Sequence, residues 1–183
     1  MNICVYGASS PLMGEYYITN IQSLCKTLAQ RGHSLVFGAG DTGAMGAAAR
    51  GFKEGGGYIK GVVPKKFTDR NIEALYDDCD ELVLTKDMGL RKKLMEDSAD
   101  AFVICPGGIG TFDELFQALT LKQIGELDKP IAIFNIKGYY SFVQELMLNA
   151  ERNKLLWEKW RTYYKIFSED EAAQLIKYLE TGE

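Results

Sequence analysis

Short apolar runs alternate along the chain with longer segments in which apolar residues recur at helical spacing. The first run, residues 2–6, predicts a buried strand, and residues 15–31 predict a helix. Within that helix Ile21, Cys25 and Leu28 are separated by four and three positions, so they share one face. The pattern therefore begins with a strand followed by an amphipathic helix.

The rest of the chain continues this alternation. Predicted strands cover residues 34–37, 58–63, 81–85, 101–105, 130–135 and 164–167, and predicted helices cover 43–54, 88–98, 112–124, 139–151 and 169–179. Such alternation indicates a mostly parallel sheet with helices on both faces, which right-handed crossovers make a doubly wound, Rossmann-like α/β fold. No internal repeat or linker interrupts the pattern, so we expect a single domain over residues 1–183.

Composition narrows the class of protein. Hydrophobic residues make up 46% and charged residues 25%, which is ordinary for a globular protein, and the net charge of -4 argues against sequence-independent nucleic-acid binding. No apolar stretch approaches the ~20 residues that a membrane span needs, and the first strand begins without a targeting segment. The four cysteines form no Cys-x-x-Cys pair, so we expect reduced structural thiols and a cytoplasmic protein.

Glycine-rich turns follow three of the predicted strands, at residues 7–10, 38–43 and 106–111. Glycine lets a backbone approach an anion closely, and the helix that follows offers free N–H groups and a positive dipole end. A phosphate is the ligand that such turns favour, although similar turns also serve tight packing. No Gly-x-x-x-x-Gly-Lys-Ser/Thr run is present, and residues 38–43 match the dinucleotide fingerprint poorly.

The third turn, at residues 106–111, is followed by side chains that could take part in a reaction. Thr111 is a natural helix cap, and Asp113 and Glu114 would then lie in the first helical turn. Acids in that turn commonly only complement the helix dipole. A carboxylate beside a phosphate-binding loop is also well placed to stabilise a positive charge that develops on an attached sugar, and both interpretations stay open at this point.

A basic run, residues 88–93, is the other candidate stretch. A solvated helix face is one interpretation of it. In the other, Arg91 turns inward and clamps a phosphate or carboxylate in a bidentate manner, Lys92 adds a second positive contact, and Lys93 faces solvent.

These features resemble the LONELY GUY (LOG) family of cytokinin riboside 5′-monophosphate phosphoribohydrolases, whose members have often been labelled lysine decarboxylases. The family signature Pro-Gly-Gly-x-Gly-Thr-x-x-Glu is matched in full by residues 106–114. The family's Gly-Gly-Gly-x-x-Gly-x-Met-Gly element resembles residues 38–46, and the similarity runs from Cys4 to Tyr140.

The resemblance implies hydrolysis of AMP or an N⁶-modified AMP to free base and ribose 5-phosphate, without a metal or cofactor. It implies Arg91 and Glu114 as the catalytic pair and a homodimer or larger assembly. The substrate contacts that it implies are Lys92, Gly107, Gly108, Ile109, Gly110, Thr111, Phe112, Asp113 and Thr120. The alternative is a nucleotide or phosphorylated-cofactor carrier of the same fold, comparable to molybdenum-cofactor carriers, that binds its ligand without turning it over.

Three positions depart from the family pattern. Gly89 stands where a His is usual, Ala39 replaces the middle glycine of the triplet, and Asn71 replaces a Glu, with Glu73 two residues further on. These changes affect the expected pocket wall, so they concern the preferred base more than the reaction.

Two further features are predicted to be structural. The single histidine, His33, falls in a turn where we expect a surface role, which leaves little support for a Ser-His-Asp triad or a zinc site. The aromatic residues Trp157, Trp160, Tyr163 and Tyr164 are expected to pack in the core or at a dimer interface, with stacking on a substrate base as the alternative.

Overall fold

Seven parallel strands form one sheet at the centre of the computed structural model, which describes residues 1–69 and 73–183. The strands are β1 (Asn2–Tyr6), β2 (Ser34–Phe37), β3 (Ile59–Pro64), β4 (Glu81–Thr85), β5 (Ala101–Ile104), β6 (Ile131–Phe134) and β7 (Lys165–Phe167). The described helices are α1 (Glu15–Gln30), α2 (Gly43–Gly55), α3 (Lys65–Asp69), α4 (Met88–Ser98), α5 (Ile109–Gln123), α6 (Ser141–Arg152) and α7 (Ala172–Thr181), with short 3₁₀ turns around 136–138, 158–162 and 169–171. The predicted Rossmann-like α/β fold is confirmed.

The strand order is β4-β3-β2-β1-β5-β6-β7. From β1 the chain first adds β2, β3 and β4 on one side and then β5, β6 and β7 on the other, so the order of strand addition switches sides at β1. β1 pairs with β2 on one side and with β5 on the other, both in parallel register. The turns that follow β1 and β5 consequently leave the same edge of the sheet and diverge toward opposite faces. In open α/β sheets this switch point is where ligands bind.

Alternation along β1 builds a core on each face of the sheet. Ile3 and Val5 pack into a cluster with α1, α2 and α7, whereas Cys4 and Tyr6 face a second cluster that includes residues of α4 and α5. Because both faces are covered, the central strands are almost continuously apolar, as parallel sheets require.

The difference from the predicted elements that matters most for the loop at residues 106–111 is the start of α5. We expected this helix from about Phe112 with Thr111 as its cap, but it begins at Ile109 and Gly108 is the N-cap. The glycine-rich sequence itself forms the first turn, so Asp113 and Glu114 lie in the second turn. Other boundaries match the prediction or differ from it by at most three residues, and the short helix α3 has no apolar periodicity that would predict it.

The expected surface position of His33 is wrong. Its side chain is buried, and Nε2 lies 3.0 Å from Glu180 Oε1, because α7 covers the turn before β2. Three of the four aromatic residues near the C-terminus, Trp160, Tyr163 and Tyr164, are buried in the second core cluster, whereas Trp157 is exposed. Core packing is therefore confirmed for those three.

Candidate active site

A cavity of about 380 Å³ opens at the carboxyl edge of the sheet, at the switch point between β1 and β5. Residues of the first glycine-rich turn, 7–10, form one part of its wall, and Gly108, Gly110 and Thr111 form another. The remaining lining residues are Gly38, Met45, Val63, Pro64, Phe67, Glu73, Met88, Arg91, Asp113 and Glu114. All three glycine-rich turns that the sequence analysis identified therefore reach this cavity.

Arg91 is directed into the cavity from the first turns of α4. Asp87 caps this helix by accepting a hydrogen bond from the Leu90 N–H at 2.9 Å. Arg91 is buried and its Nε donates to the Val62 carbonyl at 3.1 Å, so the guanidinium is held at the end of β3. A Cβ on Gly38 would lie 1.9 Å from Arg91 Nη2, so the guanidinium occupies space that only a glycine leaves open. The inward orientation of Arg91 is thus an observed feature, and the interpretation as a solvated basic face does not hold for it.

Glu114, on α5, forms an ion pair with the Arg91 guanidinium. Arg91 Nη1 donates to Glu114 Oε1 at 3.0 Å, and both side chains are more than nine-tenths buried. Burial raises the pKa of Glu114 to about 7, even though the adjacent Arg91 lowers it. A carboxylate with a pKa close to neutral is suited to proton transfer at physiological pH.

A second ion pair runs beside the first. Lys92 Nζ lies 2.8 Å from Asp113 Oδ2, and the Asp113 carboxylate is largely exposed. Exposed pairs of this kind contribute ~1 kcal/mol or less to stability. The two pairs nevertheless join the same turns of α4 and α5, and Asp113 lines the cavity mouth.

The N-terminus of α5 supplies an anion site. The first hydrogen bond of the regular helix is donated by the Phe112 N–H to the Gly108 carbonyl at 3.0 Å. The N–H groups of residues 109–111 precede it and are the free donors of a helix N-terminus. Because Gly108, Gly110 and Thr111 line the cavity, this end of α5 fits a phosphate group.

Some predicted contact residues lie away from the cavity. Ile109 is 89% exposed, and the Phe112 ring packs edge-to-face against Tyr140 at 6.3 Å. Gly107 lies in the turn itself but does not line the cavity. Thr120 is exposed and donates its hydroxyl hydrogen to the Phe116 carbonyl of its own helix at 2.7 Å. Substrate contacts by these four residues stay predictions.

The sequence analysis did not identify the apolar wall of the cavity. Met45, Val63, Phe67 and Met88 line it, together with the carboxylate of Glu73. Val63 lies near the carboxyl end of β3, and Met88 begins the helix that follows β4. Ligands bind at the carboxyl ends of such strands, and this position is the signal that would have revealed both residues. Phe67 lies on the unpredicted helix α3, so nothing in the hydrophobic pattern indicated it.

The three residues that depart from the family pattern differ in where they lie relative to the cavity. Ala39 is buried and has a φ of +65°, a left-handed conformation that costs a residue with a Cβ about 1–2 kcal/mol. Gly89 lies in the exposed first turn of α4 and does not line the cavity. Asn71 is one of residues 70–72, which lie outside the described residues.

Metal-binding clusters and membrane-spanning helices are both absent from the described parts of the chain, 1–69 and 73–183. These residues contain no group of three or more His, Cys, Asp or Glu side chains arranged to hold a metal ion. Over the same residues, no helix is both long enough and apolar enough to span a bilayer.

Known proteins resemble this chain over most of its length. A family model described as "Possible lysine decarboxylase" matches residues 45–179. A cytokinin riboside 5′-monophosphate phosphoribohydrolase of Mycobacterium tuberculosis (strain ATCC 25618 / H37Rv) is 41% identical over 138 residues, which are 75% of this chain and 72% of that protein. The chain belongs to the LOG family. The LOG7 member of that family from Arabidopsis thaliana is 34% identical, over 99% of this chain and 82% of its own length.

Solved structures share the fold of this LOG-family chain. The molybdenum cofactor carrier protein of Chlamydomonas reinhardtii superposes with a TM-score of 0.72 at 23% identity, covering 98% of this chain and 97% of that chain. A molybdenum cofactor binding protein from Rippkaea orientalis gives a TM-score of 0.69, also at 23% identity, over 98% and 96% of the two chains. At this level of identity the likeness concerns the fold alone.

Proposed function

We propose that this protein is a phosphoribohydrolase that cleaves the N-glycosidic bond of AMP or an N⁶-modified AMP, releasing the free base and ribose 5-phosphate. The observation that carries the proposal is the buried Arg91–Glu114 pair, which faces a cavity bounded by the N-terminus of α5. Membership of the LOG family supports the reaction type, because its curated relatives carry that activity in their names.

The phosphate of the nucleotide is assigned to the N-terminus of α5. The free N–H groups of its first turn and the hydroxyl of Thr111 are the donors for the phosphate oxygens. Lys92, whose ammonium lies beside Asp113, adds positive charge at the same end. Binding energy from the phosphate then positions the sugar without taking part in the chemistry.

Bond cleavage is assigned to Glu114 with Arg91 beside it. As the C1′–N bond breaks, its electron pair leaves with the base and C1′ gains the positive charge of an oxocarbenium-like state. The Glu114 carboxylate stabilises that charge and accepts a proton from the water whose oxygen bonds to C1′. This proton then passes to the departing base, which leaves as the neutral free base, and Glu114 returns to its ionised form. Arg91 holds the carboxylate in place and contacts the substrate.

Exchange of Glu114 for Gln tests this role. The glutamine side chain keeps the shape and a hydrogen bond to Arg91, but it can neither take a proton nor balance a cation. We expect kcat to fall by at least about 100-fold with AMP while AMP binding is retained. The variant Glu126→Gln, at an exposed position after α5, is the matched control and should keep wild-type activity. Wild-type hydrolysis by Glu114→Gln would remove the assigned role.

The alternative, a carrier that binds a phosphorylated ligand without turnover, rests on shared fold. Calorimetry with AMP and chromatography of the same samples separate the two functions. A carrier binds AMP and releases no adenine over hours, whereas the proposed enzyme releases adenine and ribose 5-phosphate in equal amounts.

We also propose that the protein is a homodimer or larger assembly. Ile109 and Phe142, near the N-termini of α5 and α6, are 89% and 86% exposed, and Phe116 and Leu146 are further exposed apolar residues on the same two helices. Light scattering should give at least twice the 20.4 kDa chain mass, and Phe142→Asp should lower it. A wild-type monomer at micromolar concentration would contradict the proposal.

A cytoplasmic location completes the proposal. All four cysteines, each within the described residues, are free, and Cys4, Cys25 and Cys105 are buried in the core. Buried free thiols suit a reducing compartment. Fractionation of the native host with an antibody against the chain tests this assignment.

A further inference from the structure

Glu73 is a charged side chain in the cavity wall that the proposed mechanism does not use. It lines the cavity, and its Oε1 atom is buried with no hydrogen-bond partner among residues 1–69 and 73–183. An ionised carboxylate is a pure acceptor, and a buried acceptor without a donor is costly. A ligand donor that reaches the Glu73 carboxylate from the cavity would offset part of that cost.

The backbone fixes Glu73 against the turn that follows β2. Gly40 and Leu75 form an isolated antiparallel bridge, in which the Asp41 N–H donates to the Ala74 carbonyl at 2.9 Å. The Tyr76 N–H donates to the Ala39 carbonyl, also at 2.9 Å. Glu73 is therefore at the start of a segment clamped to the turn, and not on a free loop.

Side-chain contacts along the same turn place Glu73 beyond the catalytic pair. The space above Gly38 is occupied by the Arg91 guanidinium and by Sδ of Met45, and the space above Gly40 is occupied by Cε of Met45 and by Glu73 Oε1. The Met45 thioether thus lies between Arg91 and Glu73. A Cβ on Gly40 would come within 2.6 Å of Glu73 Oε1, so this residue must be glycine for the carboxylate to take its position.

This order along the cavity matches the order of groups in a nucleotide. With the phosphate at α5 and C1′ near Glu114, the base falls against the apolar lining that Phe67, Met88 and Val63 offer. Glu73 is a hydrogen-bond acceptor that lines the same cavity, beyond the Met45 thioether. We propose that its carboxylate accepts a hydrogen bond from the exocyclic amino group of a 6-aminopurine and so selects nucleotides that carry this donor.

The inference rests on the proposed function and adds a substrate rule to it. A singly substituted N⁶ retains one N–H, so N⁶-alkylated AMP satisfies Glu73 as AMP does. Purine riboside 5′-monophosphate, which has hydrogen in place of the amino group, leaves the carboxylate unpaired and is discriminated against.

The test compares kcat/KM for AMP, N⁶-methyl-AMP and purine riboside 5′-monophosphate in the wild type and in Glu73→Met. Met has a similar length and lacks the acceptor. The ratio of kcat/KM for AMP to that for purine riboside 5′-monophosphate should fall by about 10- to 100-fold in the variant, because only AMP loses a charge-assisted hydrogen bond. N⁶-methyl-AMP should follow AMP. Glu73→Gln, which keeps one amide oxygen as an acceptor, should give an intermediate ratio.

Asp77→Asn is the matched control, since Asp77 is exposed on the same segment and does not line the cavity. It should leave the ratio unchanged. An equal loss for AMP and purine riboside 5′-monophosphate in Glu73→Met would overturn the inference, because Glu73 would then act on the sugar, on the leaving group or on the fold. If the wild type hydrolyses none of the nucleotides, the proposed function fails separately. In that case calorimetry gives the ratio of Kd for AMP to Kd for purine riboside 5′-monophosphate in the wild type and in Glu73→Met. A ratio that is the same in both proteins overturns the inference.

Discussion

Replacing Arg91 by Gln should change the pH dependence of catalysis in a way that reports on Glu114. Burial raises the pKa of Glu114 to about 7, and the guanidinium 3.0 Å away keeps it from rising further. The mechanism that we propose uses the ionised carboxylate of Glu114. Because the pKa is raised above its ordinary value of 4.5, kcat/KM for the wild type should increase with pH through about pH 7 and level off above it.

The size of the change follows from the geometry of the pair. An opposite charge in direct contact lowers a carboxyl pKa by roughly 1–3 units, and each unit corresponds to about 1.4 kcal/mol. Without Arg91 the pKa of Glu114 should therefore rise to roughly 8–10. At pH 7 the ionised fraction of Glu114 would fall from about one half to about one tenth or less.

Two measurements check this prediction. The first is the pH profile of kcat/KM with AMP, whose acidic limb should move from about pH 7 in the wild type to above pH 8 in Arg91→Gln. The second is a carbon-13 NMR titration of Glu114 in the ligand-free protein, which reports the pKa without any contribution from substrate contacts. Lys93→Gln, on the exposed face of the same helix, is the control and should leave the limb in place. A wild-type limb near pH 4–5, or one that Arg91→Gln does not move, would refute the reasoning.

Backbone positions beside the cavity give two further predictions. Gly38→Ala places a Cβ 1.9 Å from the Arg91 guanidinium, so steady-state kinetics should show at least a tenfold loss in kcat/KM, whereas Gly14→Ala, whose Cβ meets nothing closer than 3.8 Å, should keep activity. Ala39→Gly relieves a φ of +65° at the expense of one buried methyl group, so urea unfolding should show a change within about 1 kcal/mol. Ala47→Gly, in the buried interior of α2, loses a methyl group and helix propensity together and should cost roughly 2 kcal/mol. Equal losses in unfolding free energy for Ala39→Gly and Ala47→Gly would show that the left-handed conformation of Ala39 carries no strain.

Most of the fold follows from hydrophobic spacing. Residues such as Ile3 and Val5 on one face and Cys4 and Tyr6 on the other are apolar because a parallel sheet is covered on both sides. The start of α5 could not be predicted in this way. Glycines usually end a helix, but here Gly110 lies within the first turn of one, which shifts Asp113 and Glu114 one turn further in.

The site was predicted unevenly for a similar reason. The sequence analysis singled out Arg91 and Glu114, and the structure brings them into contact from two consecutive helices, α4 and α5. Glu73 and Phe67 follow β3, where no periodic pattern exists, and the bridge between Gly40 and Leu75 that positions Glu73 is a tertiary contact. The burial of His33 likewise depends on α7, almost 150 residues away in the chain.

The most direct test of the account is product analysis with the wild-type protein. Incubation with AMP and with isopentenyladenosine monophosphate, followed by chromatography, should show free base and ribose 5-phosphate in equal amounts from at least one of them. Release by Glu114→Gln should be slower by at least about 100-fold. Binding of both nucleotides without release of base, or equal release by wild type and Glu114→Gln, would contradict it.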